Sequence, residues 1–173
     1  MSEADLGRPV VFMGPSDMVV TDRPVRVKTV LGSCVAVSML ARKIGWAAIT
    51  HCLMPRAGVP LHSLSRREAL IYVDTAIEVM WLEMTRRGAA VEDVEVKLFG
   101  GAESVILAAG HRYQVGRLNV ATADEALAAR GLFPAARSTG GACGRVIEFD
   151  CATGDVMVQT LPNTPPSRPA EVA

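Results

Sequence analysis

Short runs of apolar and β-branched residues, separated by turn signals, dominate the first third of the chain. These runs favour β-strands because they are brief and rich in Val, Ile and Thr, although periodicity alone leaves a helix open for the most apolar of them. Gly14-Pro15 ends the first run, and Arg42-Lys43 separates the last two. We therefore predict strands over Pro9–Met13, Met18–Val20, Val25–Val30, Cys34–Leu40 and Ile44–Cys52.

A helical period replaces the strand pattern in the middle of the chain. Ser65 and Glu68 have the spacing of a capping box, which begins a helix, and Gly88 is typical of a helix end. Between them, apolar residues recur at steps of three and four, which predicts one buried helix face. The residues of this face are Leu70, Val73, Ile77, Met80, Trp81 and Met84.

The last third of the chain combines both patterns. A strand is predicted over Val94–Phe99, running into Gly100-Gly101. A second helix is predicted over Asp124–Arg130, with Thr122 and Glu125 as its capping box and Gly131 as its end. Two further runs, Gly144–Asp150 and Asp155–Leu161, are predicted to pair as a hairpin around Gly154.

Strands at both ends of the chain and two main helices between them indicate an α+β sandwich with mixed sheets. The length of 173 residues is sufficient for one hydrophobic core. We predict a single domain over residues 1–161. The tail over residues 162–173 is rich in proline, which cannot donate backbone hydrogen bonds, and is predicted to be disordered.

Composition and charge narrow the range of functions. Eighteen basic residues balance eighteen acidic ones without a basic stripe, which argues against nucleic acid and anionic membranes as partners. No signal peptide or membrane-spanning run is seen, so we expect a cytoplasmic protein whose four cysteines are reduced thiols. There is no Cys-x-x-Cys, no histidine pair at helical spacing and no phosphate-binding loop, so neither a metal nor a cofactor is predicted.

Cys34 and His51 are the residues with the clearest chemical potential. A thiol and an imidazole together can perform nucleophilic catalysis on an amide carbon. Cys34 follows the turn signal Gly32-Ser33, where substrate could reach it and backbone N–H groups could face an oxyanion. The alternative is a cysteine that serves as a small core residue, as Cys52 is expected to do on the opposite strand face from His51.

Several motifs follow one another in order along the chain, from about Val10 to Leu161. They are Thr29-Val30-Leu31-Gly32-Ser33-Cys34-Val35-Ala36-Val37, His51-Cys52-Leu53-Met54-Pro55, Tyr72-Val73-Asp74-Thr75-Ala76-Ile77, Lys97-Leu98-Phe99-Gly100-Gly101-Ala102, Gly116 to Asn119, and Gly140-Gly141 with Gly144-Arg145 and Gly154. Together these motifs resemble those of the chemoreceptor glutamine deamidases, the CheD family of bacterial chemotaxis.

The resemblance implies a three-layer α/β sandwich and a protein-glutamine glutaminase activity. Family members hydrolyse glutamine side chains of chemoreceptor helices to glutamate and ammonia. By this resemblance Cys34 is the nucleophile, His51 the general base and Thr29 the third catalytic residue. Some members carry the threonine one position earlier, where this chain has Lys28, so Thr29 could instead merely complete a strand.

The resemblance also implies a binding surface and partners. Ser33, Gly100 and Gly101 are expected to bind substrate, with the double glycine and the loop after Pro55 as walls of a shallow groove. The expected partners are the helices of methyl-accepting chemoreceptors and a CheC-type phosphatase. Two alternatives remain, namely a mainly non-catalytic regulator of that phosphatase and a different thiol enzyme, such as a small protease or acyltransferase.

Overall fold

Two mixed β-sheets form the centre of the molecule. The computed structural model describes residues 7–103 and 114–162. The four-stranded sheet has the order β1-β3-β8-β9, with β1 Val10–Phe12, β3 Arg26–Leu31, β8 Arg145–Asp150 and β9 Val156–Thr160. The five-stranded sheet has the order β2-β5-β4-β6-β7, with β2 Met18–Thr21, β5 Trp46–Cys52, β4 Val35–Ala41, β6 Val94–Gly100 and β7 Pro134–Thr139. The pairs β1–β3 and β6–β7 are parallel, and the other pairs are antiparallel.

Helices cover the outer face of the five-stranded sheet. They are α1 Arg66–Ala69, α2 Val73–Arg86 and α3 Val115–Ala128, with short 3-10 turns at Leu61–Ser63 and Val91–Asp93. In the described part of the chain, no helix has the length and apolar character needed to cross a bilayer.

The central strand β4 shows how the layers are built, because all of its residues are buried. Ala36 and Leu40 point into the core between the two sheets, together with Phe149 of β8. Val37 and Met39 point the other way, into the core beneath the helices. Because side chains alternate between the two faces of a strand, β4 contributes residues to two separate cores. The α+β fold and its three-layer arrangement are confirmed.

The first helix was predicted as one continuous element and is in fact two. Ser65 forms the predicted capping box with Glu68, and Gly88 follows the end of α2 with a φ of +93°. The helix breaks between residues 70 and 72 because backbone groups there bond to another segment. Ile71 O accepts the Leu53 and Met54 N–H groups, and these tertiary bonds replace the continuous helical ladder.

The second helix begins much earlier than predicted. It starts at Val115, so Thr122 is buried within it and forms no cap. Glycine and asparagine in its first turns weaken the sequence signal, but Gly116 lets the helix approach the Gly101 and Ala102 backbone closely. The start predicted from the Thr122–Glu125 spacing is therefore wrong.

The remaining predictions for the C-terminal part have mixed outcomes. The hairpin of β8 and β9 is confirmed. The strand β7 was not predicted, because it begins with Pro134, carries no bulky apolar side chain and lies at the edge of its sheet. Residues 163–173 of the predicted tail lie outside the described residues, so the domain boundary after residue 161 stays a prediction.

Candidate active site

Cys34 lies in a loop, directly before β4, and is half-buried. We call Gly32, Ser33 and Cys34 the Cys34 loop. Each carbonyl of this loop accepts one hydrogen bond from another segment: Gly32 from the Ala102 N–H at 2.8 Å, Ser33 from the Asn119 side-chain amide at 2.9 Å, and Cys34 from the Gly101 N–H at 2.7 Å. The loop is thus tied down on its carbonyl side.

Core packing, together with the register of the adjoining strands, puts Cys34 on the same side of the sheet as His51. His51 on β5 pairs directly with Ala36 on β4, and Cys34 lies two residues before Ala36. Residues two apart on a strand share a face, and a diagonal neighbour across an antiparallel pair lies within reach of a long side chain. Consistent with this, Cys34 packs against the core between the two sheets.

The Thr29 hydroxyl bonds to the His51 ring across the gap between the sheets. Thr29 Oγ1 lies 2.8 Å from His51 Nδ1 and 2.7 Å from the carbonyl oxygen of Met13. A carbonyl only accepts, so the single hydroxyl proton goes to Met13 and Oγ1 accepts from the ring. Nδ1 therefore carries the ring proton, and Nε2 is the basic nitrogen.

His51 Nε2 is buried and has no hydrogen-bond partner among the described residues. The whole residue is only 2% exposed. In contrast, Lys28 lies near Glu148, with Nζ 3.8 Å from the carboxylate. The structure therefore brings Thr29, and not its neighbour Lys28, to the imidazole.

Burial keeps both reactive groups neutral. It lowers the pKa of His51 to about 4, although the charge of Asp17 partly opposes this shift. Burial also raises the pKa of the Cys34 thiol above its ordinary value, with a hydrogen bond from its own backbone N–H acting in the opposite direction. At neutral pH the resting site therefore holds a thiol and a neutral imidazole, not a thiolate–imidazolium pair.

Gly100 and Gly101 hold the backbone behind Cys34. Both are buried and have positive φ angles of 101° and 67°, which only glycine adopts at little cost. A Cβ on Gly100 would overlap the Cys34 carbonyl oxygen, and one on Gly101 would collide with the Val120 side chain. A leucine at position 101 would therefore disturb folding, and its effect on binding could not be measured separately. The substrate-binding role of these glycines and of Ser33 stays a prediction.

Cys52 lies on the opposite face of β5 from His51, as predicted. It belongs to the core beneath the helices and is fully buried. Burial raises the pKa of its thiol to about 12, so this cysteine is not a nucleophile at neutral pH.

Two open clefts lie beside backbone segments of the site, and neither Cys34 nor His51 is among the residues that line them. One has a volume of about 600 Å³ and is lined by Ser16, Asp17, Leu53, Arg67 and Ile71, among others. Its wall adjoins His51, because the His51 N–H donates to Asp17 O at 3.1 Å and Ser16 N–H donates to His51 O at 2.8 Å.

The second cleft lies behind Gly101, along α3, with Arg117 and Asp124 in its lining. Within residues 7–103 and 114–162, no three histidine, cysteine or acidic side chains are grouped so that they could hold a metal ion.

Asn119 is the site residue whose role the sequence did not indicate. It is fully buried, and its amide reaches both the Ser33 carbonyl and the Leu53 carbonyl. The sequence signal was only its place in the motif from Gly116 to Asn119, because the helix that carries it was predicted to start later.

Comparison with known proteins identifies the family. A family model described as CheD chemotactic sensory transduction matches residues 55–160. The "Probable chemoreceptor glutamine deamidase CheD" of Oleidesulfovibrio alaskensis is 39% identical over 164 residues, covering 92% of this chain and 76% of that protein. "Probable chemoreceptor glutamine deamidase CheD 2" of Geobacter sulfurreducens is 37% identical, covering 90% and 92%. The "Probable chemoreceptor glutamine deamidase CheD" of Maridesulfovibrio salexigens is 35% identical, covering 92% of this chain and 95% of that protein. The chain belongs to the CheD family.

Proposed function

We propose that this protein is a glutamine deamidase that acts on chemoreceptors and uses Cys34 as nucleophile and His51 as general base. The observation that carries the mechanism is the Thr29–His51 hydrogen bond, which leaves a basic Nε2 on the side of the sheet where Cys34 lies. The names of the relatives support the substrate, since each is named a probable chemoreceptor glutamine deamidase.

The first half of the reaction forms a thioester. The Cys34 sulfur attacks the glutamine amide carbon while its proton passes to His51 Nε2, and the carbonyl becomes an oxyanion. The Cys34 N–H is the donor that we expect to face this oxyanion. The carbon–nitrogen bond then breaks, and the proton on Nε2 goes to the departing nitrogen to give ammonia.

The second half releases glutamate. Water gives a proton to Nε2 as its oxygen attacks the thioester carbon. Collapse of the second oxyanion breaks the carbon–sulfur bond, and the proton on Nε2 returns to the thiol. Because Thr29 accepts from Nδ1 throughout, the ring keeps one orientation and can carry a positive charge for a short time.

The neutral resting pair makes His51 a base during attack, not a permanent cation beside a thiolate. The imidazole must take the thiol proton as the carbon–sulfur bond forms. A chemoreceptor substrate would be met in the cytoplasm, which we propose as the site of action. There each reaction would replace a neutral amide by a carboxylate and change the electrostatics of the receptor helices.

The test is incubation of the purified full chain with a cytoplasmic chemoreceptor fragment. We expect ammonia release and glutamine-to-glutamate conversion at defined positions, measured by peptide mass spectrometry, with the receptor backbone intact. Cleaved receptor peptides would indicate a protease, and a transferred acyl group without ammonia would indicate an acyltransferase. If the wild-type chain neither converts glutamine nor releases ammonia with any receptor fragment, the deamidase proposal is refuted.

A CheC-type phosphatase stays a second predicted partner, implied by the sequence resemblance. The Cys34→Ala variant separates this role from catalysis, because it keeps the surface and removes the nucleophile. If the chain is mainly a regulator, this variant should bind the phosphatase and raise its activity as the wild type does. If it has no such partner, titration calorimetry should detect no binding by either protein.

A further inference from the structure

Asn119 lies where the ladder between β4 and β5 ends. Val35 and Cys52 are the last paired residues at this end. Beyond them the two segments continue as the Cys34 loop and as Leu53, and the strand register does not extend to these residues. The Asn119 amide donates to Ser33 O at 2.9 Å and to Leu53 O at 3.0 Å. One side-chain amide thus takes the place of the next rung of the ladder.

The Asn119 bridge joins the two segments that carry the reactive groups, namely the Cys34 loop and the end of β5. Cys34 is the neighbour of Ser33 on one side of the bridge, and His51 lies two residues before Leu53 on the other. Because α3 packs through Gly116 against the Gly101–Ala102 backbone, the helix that carries Asn119 is itself fixed to the segment that holds the Cys34 loop. Asn119 therefore adds a direct link between the two segments, beside the backbone hydrogen bonds that hold each of them in place.

The amide oxygen of Asn119 indicates that this residue does more than fill space. Its Oδ1 is buried and has no hydrogen-bond partner among the described residues, although an unsatisfied buried acceptor is costly. Both bonded atoms are carbonyl oxygens, so the amide nitrogen must face them. The residue thus keeps a donor group in place at the expense of its own acceptor.

We propose that Asn119 is a positioning residue that sets the distance between Cys34 and His51 by bridging the segments that carry them. The inference rests on the proposed thiol–imidazole pairing and adds to it the group that maintains the pairing. Small displacements of reacting groups reduce rates by roughly 100-fold, so loss of the bridge should uncouple the imidazole from the thiol even in a folded protein.

The test is a double-mutant cycle with alkylation of Cys34 by iodoacetamide as the readout, followed by peptide mass spectrometry of the Cys34 peptide. This readout needs no receptor. The four proteins are the wild type, His51→Ala, Asn119→Ala and the double variant, each measured at pH 7 and checked for folding by circular dichroism. We expect His51→Ala to slow alkylation in the wild-type background and to have little further effect in the Asn119→Ala background, a coupling on the order of tenfold.

Thr75→Val provides the matched control. The Thr75 hydroxyl also donates from a buried position to a backbone carbonyl, that of Ala69 at 2.6 Å, but it lies in α2 and bridges neither chain of the site. Its effect on alkylation should add to that of His51→Ala. If Asn119→Ala does not fold, Asn119→Leu, which fills a similar volume without donors, takes its place in the cycle.

The outcomes separate this inference from the proposed function. Additive effects of Asn119 and His51 substitutions would overturn the bridge while leaving deamidation by the wild type intact. No effect of His51→Ala on the wild-type alkylation rate would overturn both the bridge and the thiol–imidazole pairing. Coupling between the two positions without any deamidation by the wild type would support the bridge and refute the proposed substrate.

Discussion

His51 and Cys52 are neighbours on one strand, both buried, and their surroundings differ completely. Burial keeps both neutral at pH 7, since it lowers the pKa of His51 to about 4 and raises that of Cys52 to about 12. On the His51 face, however, Thr29 orients the ring and Cys34 borders the same core. On the Cys52 face, the neighbours are those of an apolar core, with Thr50 Oγ1 at 3.6 Å from the sulfur.

The comparison shows that position on the strand, and not residue type, decides whether a thiol is partly accessible or sealed in a core. Cys34 and Cys52 are both thiols, but Cys34 lies in a loop at the end of β4 and remains partly accessible. Cys52 is sealed inside a core layer. A period of two puts adjacent residues into different layers, so chemistry and packing can be separated within two residues.

The largest contrast is expected between His51→Ala and Cys52→Ala. His51→Ala should abolish ammonia release, because no base remains to take the thiol proton. Cys52→Ala should keep near-wild-type turnover and lose about 1–2 kcal/mol of unfolding free energy through the cavity it leaves. Ammonia release and denaturant unfolding measure the two effects. Loss of activity in a fully folded Cys52→Ala protein would contradict the separation of the two faces.

A smaller contrast is expected between the two buried threonines, Thr29 and Thr50. Thr29→Val removes the acceptor for the His51 Nδ1 proton and should lower kcat by about 100-fold, at the lower end of what a positioned general base contributes. Thr50→Val, on the opposite face, should leave kcat nearly unchanged. Thr29→Ser keeps the hydroxyl and should restore most of the activity.

The Thr29 comparison also resolves the alternative that this residue only completes a strand. If so, Thr29→Val should turn over normally per folded molecule, and only its thermal midpoint should change. Measurement of both quantities on the same preparations distinguishes a role in orienting the ring from a role in the strand.

The last contrast concerns stability and not turnover, and it is a pH dependence that belongs to the His51 face. The ordinary pKa of histidine is 6.5, whereas in the folded protein that of His51 is about 4. Between these values the unfolded chain binds more protons, so the free energy of unfolding falls as the pH is lowered from about 6.5 towards 4, by at most about 3 kcal/mol. Above pH 6.5 this contribution is fully present.

The matched variant for this measurement is His51→Gln, which is uncharged at every pH. Urea unfolding of both proteins between pH 4 and 7 isolates the histidine contribution, because other titrating groups are shared. A wild-type stability that follows the variant at a constant offset would show that His51 is not buried in its neutral form.

The sequence indicated those parts of the fold that depend on local pattern. The alternation of polar and apolar residues in β3 and the opposite orientation of His51 and Cys52 follow from strand geometry alone. The break between α1 and α2 could not be predicted, because the apolar period continues through residues 70–72 and only the bonds from Leu53 and Met54 interrupt the helix.

The same distinction holds for the site. Cys34 and His51 could be found from residue type and turn signals, whereas Thr29 depends on how two sheets face each other. Its contact with His51 joins residues from different sheets, which no local pattern encodes. The position of Asn119 was harder still to predict. It depends on a helix start that glycine and asparagine obscure in the sequence, and on two segments that meet only in the folded protein.

The most direct test of the central claim is the conversion of receptor glutamine by wild type and Cys34→Ala, measured side by side by peptide mass spectrometry. The structure places the Cys34 side chain at a loop and not in a sealed core, so the variant should fold with a thermal midpoint close to that of the wild type. We expect the wild type to convert defined glutamines to glutamate and Cys34→Ala to convert none. Conversion by Cys34→Ala at the wild-type rate would show that the thiol is not the nucleophile.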